Sequence, residues 1–148
     1  TTGDIICNST EIQGAVSNRG GVSILKGISY VNYNDTDADI DIIFMENQVN
    51  LGTAGAAISV ADSIVVSARL IGFVSMDASD GDSDLINSIF AQYSVGGSET
   101  ATKHGTLPIM LKAGGNSRSV YFTAIDRSGS LSFAADGLEF IFHIEYVD

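Results

Sequence analysis

The stretch Asp39-Ile40-Asp41-Ile42-Ile43-Phe44-Met45 decides the fold. Ile40, Ile42 and Phe44 share one parity, and Asp39 and Asp41 open the other. Strand side chains point alternately to the two faces of a sheet, so this is the pattern of a half-buried strand. Ile43 and Met45 make the second face apolar as well, which predicts that the strand's far end is covered on both sides. Such a strand needs partners, and the flanking sequence offers them.

Upstream, Val22, Ile24, Ile28 and Tyr30 share one parity, which Lys26 interrupts, while Leu25, Val31 and Tyr33 hold the other. β-Branched and aromatic residues dominate, predicting a long strand to about Asn32. Asn34-Asp35-Thr36-Asp37-Ala38 is turn chemistry, so this strand and the 39–45 strand are expected to form an antiparallel hairpin. Downstream, Ser59 or Asp62 would cap a one- or two-turn helix that runs into Ile64-Val65-Val66. Residues 68–76 read as a core strand and Asp77 to Asp84 as a polar loop. Ile89 to Tyr93 then alternates, and Gly96-Gly97-Ser98 breaks it. Leu107 to Leu111 is a strand with Pro108 at its start or on an edge. Val120 to Ile125 is a further strand, Leu131-Ser132-Phe133 a short one, and Asp136-Gly137 a turn. Leu138 to Tyr146 carries the most regular alternation of all. Eight or nine strands without a repeat or a Pro-rich linker predict an all-β chain: a single-domain antiparallel β-sandwich or barrel-like roll with at most one short helix. Its core is expected to join Ile42, Phe44, Phe73, Phe122, Phe140 and Phe142.

Residues 1–21 form an N-terminal arm or edge segment, and residues 22–148 the β-sandwich-like domain. Asp4-Ile5-Ile6-Cys7 has the makings of a short strand. Ile5, Ile6, Ile12 and Val16 would be poorly placed in water, so the segment is expected to order against a neighbour or a shell. On that reading, removing residues 1–16 leaves the domain folded.

Charge narrows the function. Eighteen acidic against seven basic residues give a net charge of −11. The bases Arg19, Lys26, Arg69, Lys103, Lys112, Arg118 and Arg127 are scattered, which argues against direct nucleic-acid binding and against an anionic membrane surface. Charged residues make up 17% of the chain, below the roughly 25% usual for soluble domains, and this favours a surface partly covered by a partner. Cys7 is the single cysteine, so no intrachain disulfide forms. No apolar run reaches the ~18 residues of a membrane span, and no basic-then-apolar leader opens the sequence. The sequon Asn8-Ser9-Thr10 is therefore expected to be idle.

The chemistry-bearing patterns in the sequence are each incomplete. Asp35, Asp37, Asp39 and Glu46 stand at places one, three, five and twelve of an EF-hand-like loop, but Ile40 occupies the place that needs Gly. The run Asp77-Ala78-Ser79-Asp80-Gly81-Asp82-Ser83-Asp84 lacks a Glu at the right distance and reads as a solvated turn, so folding is expected to need no calcium. Nothing gathers around His104 or His143 for a zinc site; His143 suits an outward position or a satisfied partner. Cys7 has no supporting context as a nucleophile. Glu139 and Glu145 lie six residues apart on one strand, ~20 Å, too far for a glycosidase pair. No catalytic, cofactor-binding or metal-ligating residues are expected, and no enzyme activity.

One succession of segments has a further meaning. A long strand is followed by Asp-Ile-Asp-Ile-Ile-Phe-Met-Glu-Asn (39–47), Ile-Ser-Val-Ala-Asp (58–62) and Leu-Ile-Gly-Phe-Val (70–74). Ala101-Thr102-Lys103, Leu107 to Lys112, Val120 to Ile125, Gly129 to Ala135 and a hydrophobic last strand complete it. Over residues 22–147 this resembles a group of small tailed-bacteriophage virion structural proteins. The resemblance implies a decoration or cement protein that binds the outside of a capsid and stabilises it. It implies the major capsid protein as partner and the capsid surface as location, after synthesis in the host cytoplasm. A homo-oligomer is expected, with three-fold grouping favoured. The rival from another class is a carbohydrate- or receptor-binding β-sandwich of a fibre or adhesin, with its platform drawn from Tyr30, Tyr33, Tyr93, Tyr121 and Tyr146.

Overall fold

A computed structural model of the chain describes residues 3–34, 38–77, 82–94, 107–129 and 137–147. Its elements are β1 (Ile5–Ile12), β2 (Val22–Asn32), β3 (Ile40–Met45), α1 (Asp62–Ala68), β4 (Leu70–Met76), β5 (Asp82–Asp84), β6 (Ile89–Ser94), β7 (Ile109–Lys112), β8 (Val120–Asp126) and β9 (Leu138–Tyr146). Two antiparallel sheets pack as a sandwich. One has the order β1-β8-β3-β4; in the other, β2 pairs with β9 along one edge and with β6 and β7 along the opposite edge, and β5 extends β6. The described residues are all-β with one short helix.

The strand that decides the fold sits at the centre of the first sheet. β3 pairs with β4 and β8, and Ile40, Ile42 and Phe44 are fully buried between the sheets. Phe142 closes on Phe44 edge-to-face at 5.8 Å and on Phe122 at 4.8 Å, and Phe140 meets Phe122 at 5.8 Å. Edge-to-face geometry sets the positive ring edge against the negative face, so this cluster gains beyond its buried area. Phe73 does not join it. β4 is the edge of its sheet, and Phe73 points outward with 41% of its surface exposed.

The far end of β3 is covered on both sides, as its second apolar parity requires. Residues 46–68 fold back over the outer face of the first sheet. Ile5, Met45, Leu51 and Ala68 form a second, smaller core there, flanked by Ile43, Ile64 and Tyr121. The helix in this cover carries Ile64, Val65 and Val66 despite their β-branching. Neither Ser59 nor Asp62 caps it: the N-cap is Ala61, without a side-chain bond. The other end is held from outside, where Asn47 donates its backbone N–H to Ala68 O at 3.1 Å and its Nδ2 to Ser67 O at 2.9 Å.

The expected hairpin between β2 and β3 is not formed; the two strands lie in different sheets. β2 also explains its own mixed parity. A register shift falls between Leu25 and Gly27 in the β2–β9 ladder, where Lys26 is exposed. A bulge inserts one residue and so reverses which parity faces inward. Ser23 and Leu25 are buried before it, and Ile28, Tyr30 and Asn32 after it.

The N-terminal segment takes the edge position. β1 pairs with β8 through two register shifts, and Ile5, Ala15 and Val16 are buried within the same chain. The argument for ordering against a neighbour therefore loses its premise. Of the polar run 77–84, Asp82–Asp84 pairs with β6 as a short strand rather than a loop. The rest of that run beyond Asp77, the 35–37 turn, Gly96-Gly97-Ser98, Ala101-Thr102-Lys103, His104, Leu131-Ser132-Phe133 and Asp136 lie outside the described residues.

Asn8 ties the edge strand to the covering loop. Its Nδ2 donates to Asn50 Oδ1 at 2.7 Å and to Gly52 O at 2.6 Å. Its Oδ1 accepts the N–H of Ser9 at 2.8 Å and of Leu51 at 3.1 Å. The sequon's amide is thus fully engaged, and a glycan, which replaces one Nδ2 hydrogen, would forfeit one of the two bonds that Nδ2 donates. Asn8→Ala orphans the N–H of buried Leu51 and is expected to cost about 2–3 kcal/mol, read as a lower urea midpoint at unchanged slope.

Candidate functional site

The two sheets differ in what covers their outer faces. The first carries residues 46–68; among the described residues, no element lies over the outer face of the second. The Lys26 bulge sets which residues that face presents. Ladder partners share a face, so Val31 stands with Phe90 and Glu139, Ser29 with Gln92 and Ile141, and Ile24 with Met110 and Glu145. Met110 is 64% exposed and Ile141 42%, while Ile24, Val31 and Phe90 are half-buried.

Charge sits mainly at the margins of this face. Lys26 Nζ meets Glu145 Oε2 at 2.7 Å. Tyr33 donates its hydroxyl to Glu139 Oε2 at 3.2 Å, a bond that raises the phenol's pKa above its ordinary value. At the centre, the His143 ring lies over Gly27: a Cβ on Gly27 would come within 3.3 Å of His143 Cδ2. His143 Nε2 and Ser29 Oγ share a hydrogen bond of 2.9 Å, so this histidine is a satisfied outward residue. The β5–β6 turn adds a second apolar feature to the same sheet. Ile86 there adopts φ 78° and is 81% exposed. Left-handed backbone is strained for a β-branched residue.

Other candidate groups do not converge. Among the described residues no three of His, Cys, Asp and Glu are placed to hold a metal ion. Glu46 Oε2 lies 3.4 Å from Arg69 Nε and 3.5 Å from Lys112 Nζ, an ion triad that joins the ends of the two sheets. Burial pushes the Cys7 thiol up, against the weaker opposing effects of hydrogen bonds from Ala124 and Thr10. A thiolate nucleophile needs the reverse. Of the tyrosines, Tyr30 and Tyr93 are buried and Tyr121 half-buried. Tyr33 and Tyr146 are exposed, but Tyr33 bonds Glu139 and Tyr146 is seven residues further along β9, roughly 23 Å away, so the two make no shared platform.

The outer face was only partly legible in the sequence. Glu139, Ile141, His143 and Glu145 share one parity of the last strand in the sequence, and Met110 falls in an expected strand with no signal of its exposure. Among the described residues no helix is long and apolar enough to cross a membrane. No known protein family, curated protein or solved structure matches this chain.

Proposed function

We propose that the chain is a non-enzymatic structural protein of a tailed-phage particle, of the decoration or cement type, which binds the outside of the capsid and stabilises it. The observation that carries this reading is the asymmetry of the sandwich. One outer face is covered by the chain itself, and the other offers Met110, Ile141 and half-buried apolar neighbours to a partner. A cement protein works by burying area across subunit seams, and many weak contacts on one shell add to a firm grip. The low charged fraction and the exposed Ile86 turn support the same reading. The glycan-binding alternative has less support, because the exposed tyrosines stand apart.

The test is binding to head shells assembled without this chain. Saturable binding that raises the shell's melting temperature is expected, and Met110→Glu should lose it while keeping the free chain's own transition. Absence of saturable binding, together with reproducible hits for the chain on a glycan array, would overturn the proposal.

A further inference from the structure

β9 is an edge strand with an open flank. Among the described residues its only ladder partner is β2. Its inward side chains show the consequence. Phe140, Phe142 and Ile144 pack on the core yet stay only partly buried, and Cys7 and Ile12 of β1 do the same. β9 lies over β8, as the Phe140–Phe122 and Phe142–Phe122 contacts show, and β1 is the next strand outward. Among the described residues the sandwich is therefore least sealed along the side where β1 and β9 form its two lips, which Tyr146 bridges at one end by donating its hydroxyl to Gly14 O at 2.7 Å. At the opposite side, Ile109 of β7 packs against Gly72 of β4. A long unpaired edge beside half-buried phenylalanines is a template for another strand.

We propose that the strand it takes is β9 of a second copy of this chain, antiparallel and centred on Ile141. The sequence of β9 is self-complementary in that one register. Ile141 then faces Ile141 of the second copy across the two-fold axis. Phe140 faces Phe142 of the second copy, and Leu138 faces Ile144, each twice by symmetry. On the outer face Glu139 meets His143 of the second copy, again twice. Each of these two side chains has capacity for that contact. Glu139 takes its hydrogen bond from a neutral phenol, and His143 uses Nε2 toward Ser29, which leaves Nδ1 for a carboxylate. Neighbouring registers are poorer. Centring on Phe142 sets Glu139 against Glu145 of the second copy, and like charges directly opposite are destabilising. Centring on Phe140 sets Glu139 against Ile141. The contact is isologous, so it closes at two copies and joins the two second sheets into one continuous sheet. It needs no shell, and it stands apart from the capsid reading.

Cross-linking tests both the contact and its register. Directly opposed residues of an antiparallel pair have Cα atoms about 4.5–5.5 Å apart, within disulfide reach. In a Cys7→Ser background, Ile141→Cys is expected to give a covalent dimer on mild oxidation. His143→Cys alone should stay monomeric, since each His143 would lie about four residues, ~13 Å, from its symmetry mate. A mixture of Glu139→Cys and His143→Cys chains should form the mixed disulfide. All three positions are exposed, so a cooperative thermal transition is expected for each variant, lowered by a few degrees for His143→Cys, which takes the partner from buried Ser29 Oγ. A monomeric mass for the unmodified chain at high concentration in sedimentation equilibrium would overturn the proposal. Cross-linking at His143 alone as efficient as at Ile141 would overturn it too.

Discussion

A chain lacking residues 1–16 is expected to lose its cooperative thermal transition. The segment contributes the whole of β1, which satisfies one edge of β8, and β8 is buried on both faces. It also contributes Ile5 to the smaller core and Val16 to the main one, both fully buried. Burying a side chain of this size is worth about 1.5–3 kcal/mol each. The Asn8 bonds to the covering loop go as well. Together these approach the whole stability of a typical domain, about 5–15 kcal/mol. Circular dichroism melting is the measurement. A transition within a few degrees of the full chain's would show that the segment is a separable arm after all.

The largest effect of a single substitution is expected at Phe44. Phe44→Ala empties a fully buried site at the centre of β3, between β4 and β8. The surrounding strands cannot collapse into the void without breaking their ladders, so the cost should be about 3–5 kcal/mol. Phe142→Ala removes the ring that closes on Phe44 but comes from the open side, where the site is already partly in water. Its cost should be clearly smaller. Urea unfolding of both variants measures the difference. Equal losses would mean that the side of the sandwich flanked by β9 is sealed rather than open.

What could be read in the sequence was what strand alternation determines locally. The burial of Ile40, Ile42 and Phe44 and the alternation of β9 follow from a period of two, and the bounds of β2 from its run of β-branched and aromatic residues. What could not be read depended on contacts distant in sequence. Turn residues after Asn32 announce a reversal, but not that the chain crosses to the other sheet. β4 is as apolar as a central strand, and only its place at the edge exposes Phe73. Only the start of β1 was legible, at Ile5-Ile6-Cys7, because two register shifts break its alternation, so Ile5 faces the smaller core while Cys7 and Ile12 pack toward the main one. Asn8 carried a signal of another kind: a sequon whose amide is spent on holding a loop. The candidate face was obscured by Lys26, whose bulge decides which of the flanking residues point outward.

Absolute quantification of this chain in purified particles tests the proposed role most directly. A capsid-binding cement protein occupies repeated sites, so tens to hundreds of copies per particle are expected, retained through washing and released with the shell. One or a few copies per particle, or none, would contradict a capsid-binding role.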